Sequence, residues 1–191
     1  MDFALKEEHR LLQKTLREFA LKELKLGVAQ RDKEAQFPIS LIQKMAQIGL
    51  MGVVFPHEYG GAGLDYIGYV IAIEEIARID ASAAITILAH TLCANHIFSF
   101  GTEAQKNKYL PPLAKGEKIG AWGLTEPGAG SDVASMRMTA VSDEKGWTLR
   151  GEKAFTTNGS FAEIMVVMAY TDKSKGAKGI SAFIVEGNTP G

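Results

Sequence analysis

Between Gly123 and Asp132 the chain reads Gly-Leu-Thr-Glu-Pro-Gly-Ala-Gly-Ser-Asp. A short apolar segment, Ile119 to Leu124, leads into the hydroxyl of Thr125. Pro127, Gly128 and Gly130 then make a turn, and Ser131 and Asp132 offer side-chain oxygens to free backbone N–H groups. Glycine has no Cβ, so a backbone can come close to a ligand there. A turn rich in unpaired N–H groups makes a concavity that accepts anionic or carbonyl oxygens. The chemistry is recognition of a small polar ligand, largely by main chain. The same residue types also build plain surface turns. On residues alone, Thr125 can equally end a strand, Trp122 can fill a core, and Ser131 with Asp132 can cap a turn or helix at about 1 kcal/mol.

Other chemistries are weaker. His90 and His96 are six residues apart, which puts them on different helix faces, and His9 and His57 do not complete a ligand spacing, so no metal site is expected. Tyr59, Gly60, Gly61 and Gly63 shape a turn but lack the strand–turn–helix context of a dinucleotide fingerprint.

The elements that must position these residues fall into two groups. Leu12, Leu16, Phe19 and Ala20 form one apolar stripe among charged residues, the mark of a surface helix. Pro38 suits the first turn of a second helix that ends at Gly49. Leu50 to Phe55 is a short apolar run. Leu64 to Ile79 is apolar on most sides. Glu103 to Leu113 is amphipathic and is expected to stop near Pro111-Pro112. Ala81 to Gly101 contains no charged residue, and its length invites a transmembrane reading. Its Ser, Thr, His and Asn side chains would need partners in lipid, so a buried core helix is expected. Beyond Lys118 the pattern changes. Trp147 to Arg150 alternates after a turn at residues 143–146 and reads as a hairpin. Ile164 to Tyr170 fits a strand covered on both faces, and Ile180 to Val185 another strand. The expected class is α+β: an all-α domain over residues 1–117, then the first part of a β-barrel or sandwich domain over residues 118–191.

With 46% hydrophobic and 23% charged residues the chain can bury a real core. A net charge of −1 without a basic block speaks against nucleic acid and anionic membrane surfaces as partners. The lone Cys93 excludes an internal disulfide framework and reads as a small buried hydrophobe. The acidic N-terminus, Met1 to Glu8, has no basic or apolar targeting pattern. A bacterial cytoplasmic protein is therefore expected, or a mitochondrial matrix protein whose presequence has been removed.

Four stretches together resemble the acyl-CoA dehydrogenases. These are the segment from Gly123 to Asp132, the loop from Pro56 to Gly63, the run Gly101 to Lys106 with Tyr109-Leu110-Pro111 behind it, and the segment Gly151 to Gly159. All four stand in the family's order. The resemblance implies an FAD enzyme that desaturates an acyl-CoA thioester to the 2-enoyl-CoA and passes electrons to an electron-transfer flavoprotein, with a homotetramer as the full-length assembly. It places Trp122, Leu124 and Thr125 on the flavin, Gly130 and Ser131 at the FAD pyrophosphate, with Ser131 also touching the acyl-CoA, and Phe155, Thr156 and Thr157 in the second flavin segment. Phe155 stands where tryptophan is frequent in the family and keeps the packing without the indole N–H. Thr156 stands where an aliphatic β-branched residue is frequent, and its hydroxyl needs a partner.

The family's β domain continues beyond this point and is followed by a helical bundle carrying the catalytic glutamate. This chain therefore reads as the N-terminal half, without the catalytic base and without the C-terminal bundle. Glu126 and Asp132 are then structural. The overall texture resembles the short-chain enzymes. An acyl-CoA oxidase or a flavin monooxygenase of the same superfamily, and a non-catalytic fragment with open strand edges, remain alternatives.

Overall fold

A computed structural model describes residues 4–144 and 146–191. Met1 to Phe3 of the N-terminal reading and Lys145 of the hairpin turn lie outside the described residues. The chain divides into two compact units, one through Lys118 and one from Ile119 onward.

The first unit is helical: α1 (Glu7–Phe19), α2 (Val28–Lys33), α3 (Ile39–Gln47), α4 (Tyr66–Ala77), α5 (Ala81–Phe100) and α6 (Glu103–Ala114). The N-termini of α4, α5 and α6 carry side-chain caps. Asp65 accepts the Gly68 N–H, Asp80 accepts the Ala83 N–H, and Thr102 forms a reciprocal capping box with Gln105. Helix α1 packs on α4, α4 on α5, and α5 on α6, around Leu16, Leu24, Ile42, Met45, Ile76, Ile87, Ile97, Leu110 and Leu113. Polar ties cross this core. Arg17 grips the buried Glu75 in a two-point pair at 2.8 and 2.9 Å, and Arg31 bonds Asp80 at 2.9 Å.

Three features differ from the sequence expectation. Helix α1 runs on into a π-helical stretch, Ala20–Leu24, followed by the short α2. Helix α6 does not stop at the prolines but continues to Ala114. The φ of proline is already helical, and the cost of a lost N–H and of ring crowding on the preceding turn is offset here: the Pro111 and Pro112 carbonyls accept from the Lys115 and Lys118 N–H groups, and Leu113 and Ala114 are drawn into the core. Helix α5 is buried on one face only: Ile85, Leu88, Leu92 and Phe100 are exposed. It is long and apolar enough to cross a membrane by length and composition, and half of it is buried inside the fold.

The glycine loop after Phe55 is packed against its own backbone. A Cβ on Gly61 would come within 2.0 Å of the Phe55 carbonyl oxygen, and one on Gly52 within 2.3 Å of that of Ala114. Gly52 and Gly61 thus serve close backbone packing.

The second unit is a mixed five-stranded sheet of β1 (Gly120–Gly123), β2 (Thr139–Asp143), β3 (Gly146–Arg150), β4 (Ile164–Tyr170) and β5 (Ile180–Glu186). The apolar run of β4 is the hub. It pairs in parallel with β1 from Ile164 to Val167, antiparallel with β5 along its whole length, and in parallel with β2 at Tyr170. Strands β2 and β3 form the expected antiparallel hairpin.

Candidate functional site

Strand β1 delivers Trp122, half-buried, and the chain leaves it through half-buried Leu124 and Thr125. A tight turn follows, closed by Glu126 and Ala129 exchanging backbone hydrogen bonds at 3.0 and 3.1 Å around Pro127-Gly128. Ala129 is anchored with Met136 and Tyr170 in a small apolar cluster that Leu124 also joins. Gly130 and Ser131 stand exposed after the turn. Asp132 accepts from the Ser135 hydroxyl and heads the short helix Val133–Ser135.

The other segment comes from the loop between β3 and β4. It is stitched onto the first at four points. Lys153 Nζ donates to the Leu124 carbonyl at 3.0 Å and to Glu126 at 2.8 Å; the Ala154 N–H donates to the Thr125 carbonyl at 2.8 Å; Asn158 Nδ2 donates to the Gly120 carbonyl at 3.0 Å. Two residues here hold the left-handed backbone that side chains avoid, Phe155 at φ 54° and Asn158 at φ 67°. The Phe155 ring is 94% exposed. An exposed aromatic on a strained backbone makes no packing of its own and is presented outward. Thr156 and Thr157 are half-buried beside it.

Glu126 is fully committed. Its buried carboxylate accepts from the Arg137 and Met138 N–H groups and pairs with Lys153. Burial opposes its charge, but the Lys153 ammonium and the two N–H groups outweigh that, and its carboxyl is held below the ordinary glutamate range. A carboxylate so held is no general base. Lys153 and Asn158 escaped the sequence reading. The available signal for Lys153 was a carboxylate in a Gly/Pro turn, which needs a counter-charge, with a lysine inside the second segment.

Sequence-predicted residues Trp122, Leu124 and Thr125 are thus brought beside Phe155, Thr156 and Thr157. Among the described residues, no hydrogen bond joins Gly130 or Ser131 to residues 153–159. The donor set fits a planar ligand with carbonyl oxygens and ring nitrogens. Among the described residues the N–H groups of Thr125, Gly130, Ser131 and Thr157 meet no protein acceptor, whereas the Leu124 and Thr125 carbonyls are already satisfied. A Cβ on Gly128 or Gly130 would meet nothing within 4 Å, which leaves the turn open to close approach. A separate cleft of about 280 Å³, lined by Glu126, Pro127, Gly128, Arg137, Met138, Gly151 and Glu152, shares with these residues only the turn.

Comparison with known proteins finds relatives along the whole chain. Residues 6–117 match the acyl-CoA dehydrogenase N-terminal domain and residues 121–191 the acyl-CoA dehydrogenase middle domain. The short-chain specific acyl-CoA dehydrogenase of Clostridium acetobutylicum is 49% identical over 97% of this chain and 49% of its own length. The butyryl-CoA dehydrogenase structure from Megasphaera elsdenii superposes with a TM-score of 0.95 at 45% identity, covering 100% of this chain and 51% of that one. A structure described as an electron transferring flavoprotein of Acidaminococcus fermentans gives a TM-score of 0.96 at 47% identity, covering 100% and 50%. The chain spans about half the length of the curated relatives it matches. With matches to both domains over nearly its whole length, the chain belongs to the acyl-CoA dehydrogenase family.

Proposed function

We propose that this chain supplies the cofactor-orienting half of a flavin-dependent acyl-CoA dehydrogenase, which converts a short-chain acyl-CoA thioester to the 2-enoyl-CoA. The observation that carries this reading is the side-by-side placement of residues 122–126 and 153–157, with N–H donors unclaimed by the protein and an aromatic ring held out on a strained backbone. FAD, when bound, supplies the hydride acceptor, and the protein supplies orientation and electrostatics. Trp122 and Leu124 would flank the ring, and Phe155 would pack on it. The N–H and hydroxyl of Thr125 and the N–H of Thr157 would stabilise negative charge on it, as preorganised donors do elsewhere, with Thr156 completing that segment. Gly130 and Ser131 take the pyrophosphate, and Ser131 also the CoA part of the substrate. Holding the thioester between cofactor and base makes both C–H cleavages effectively intramolecular. The base, a glutamate, belongs to the helical domain of the full-length enzyme, so the 191 residues alone are expected to be inactive and to hold FAD weakly. The short-chain preference is supported by the names of the relatives, and the electron acceptor is an electron-transfer flavoprotein. The full-length enzyme is a soluble tetramer of the bacterial cytoplasm, or of the mitochondrial matrix.

The test is the visible spectrum of the full-length protein. A flavin spectrum that bleaches anaerobically on adding butyryl-CoA is the expected result. A protein that retains no flavin under saturating FAD overturns the reading, and rapid reoxidation of the reduced enzyme by oxygen would instead mark an oxidase.

A further inference from the structure

We propose that Lys153 is a positioning residue for the cofactor segment: by holding the Leu124 carbonyl it aims the Thr125 N–H. The proposal rests on the flavin reading above and adds a residue to it. Carbonyl and N–H of one trans peptide lie in a plane and point in opposite directions. The Leu124 carbonyl and the Thr125 N–H belong to the same peptide unit. The Lys153 ammonium, 3.0 Å from that carbonyl, therefore sets the direction of the donor on its far side. The next peptide is fixed independently, its carbonyl by the Ala154 N–H and its own N–H by Ala129. Rotation of the 124–125 unit is the freedom left, and Lys153 removes it. A charged donor on the carbonyl also polarises the unit and strengthens its N–H as a donor.

The ammonium is itself tightly placed. Its side chain is 9% exposed, and its charge is balanced at 2.8 Å by Glu126, whose carboxylate is tied to the N–H groups of Arg137 and Met138. Lysine suits two acceptors in different directions, because its three donors rotate about one point. The planar fork of arginine does not match that arrangement.

The test uses the full-length holoenzyme with three variants, K153M, K153R and K153M/E126Q. FAD affinity by fluorescence titration, flavin midpoint potential, and melting temperature of the FAD-free protein are measured on each. K153M strands a buried carboxylate and is expected to melt low. K153M/E126Q removes both charges and is expected to recover much of the melting temperature, yet to bind FAD at least ten-fold more weakly and at a more negative midpoint potential. K153R is expected to melt near the parent and to lose several-fold in FAD affinity; it decides the matter if the double variant does not fold. Parent-like FAD affinity and midpoint potential in K153M/E126Q, or in K153R, would show that the pair serves folding alone and overturn the proposal. Failure of the parent itself to bind FAD sinks the flavin reading, a separate outcome.

Discussion

Phe155 holds a backbone angle that costs a non-glycine residue about 1–2 kcal/mol, and its ring, 94% exposed, gains nothing from the fold in return. Such strain persists where it serves a ligand. Replacing Phe155 with glycine is expected to raise the melting temperature of the FAD-free protein while lowering FAD affinity. A variant that loses both would show that the strain is offset within the fold and is not held for the ligand. His90 has the opposite character. It is wholly buried, with Nε2 donating to the Leu113 carbonyl at 3.1 Å. Burial pushes its imidazole down from 6.5 to about 4, only partly offset by the Leu113 and Met51 backbone. The unfolded chain therefore takes up a proton before the folded one does, and stability falls as pH drops from 6.5 toward 4. Between pH 7 and pH 5 this contributes a loss of about 2 kcal/mol. His90→Gln keeps a donor without the titration, and urea unfolding at the two pH values is expected to show a correspondingly flatter dependence.

Between elements, Arg17 and Glu75 are the clearest tie of α1 to α4, and the pair is lopsided: the Glu75 side chain is 1% exposed, the Arg17 side chain 49%. Removing Arg17 leaves a buried carboxylate with only Gln13 and the charge of Arg78 to support it, whereas removing Glu75 leaves a guanidinium that reaches water. R17M is expected to cost about 2 kcal/mol in chemical denaturation, and R17M/E75M less than R17M alone. Equal losses would mean that the alkyl packing of Arg17, not its charge, joins the helices. This lopsidedness was invisible in the sequence, where Arg17 and Glu75 look like ordinary helix-surface charges. Apolar periodicity, with Pro38 at the start of α3, did reveal α1, α3 and α6, long apolar stretches revealed α4 and α5, and the short apolar run revealed β4, because these signals are local. The π-helical stretch Ala20–Leu24 shifts register within an unbroken helix pattern and leaves no local mark. The role of β4 as partner to three strands depends on distant pairings that periodicity does not contain. In the site, the motif segments were legible as glycine-rich turns with hydroxyls. Their joining was not, because it is made by Lys153, Ala154 and Asn158 reaching back 38 residues or fewer to main-chain oxygens that carry no sequence signature.

At the scale of the whole chain, what is left uncovered decides how it behaves alone. Helix α5 presents Ile85, Leu88 and Leu92 to solvent at helical spacing, and α4 presents Ile67 and Val70; their exposures run from 36% to 61%. Both helices are apolar on nearly every side, whereas a helix at the surface of a monomer keeps a polar outer face. Soluble monomers rarely leave contiguous apolar patches of several hundred Å² open, and larger ones mark association surfaces. Thr86, His90 and Thr91 are turned into the core, and the polar residues left outside, Ser82 and Ser99 exposed with Asn95 and His96 half-buried, lie toward the two ends of α5 rather than between Ile85 and Leu92. The 191-residue chain prepared alone is therefore expected to self-associate in a concentration-dependent way and to bind an apolar fluorescent dye. Replacing Ile85 and Leu92 with glutamine is expected to shift the light-scattering mass toward the 20.7 kDa monomer while leaving the far-UV helical signal intact, because neither side chain lies in the core. A parent chain that runs as a monomer at tens of micromolar without binding dye would show that these two faces are tolerated in water, and that the driving force for covering them is smaller than their apolar area implies.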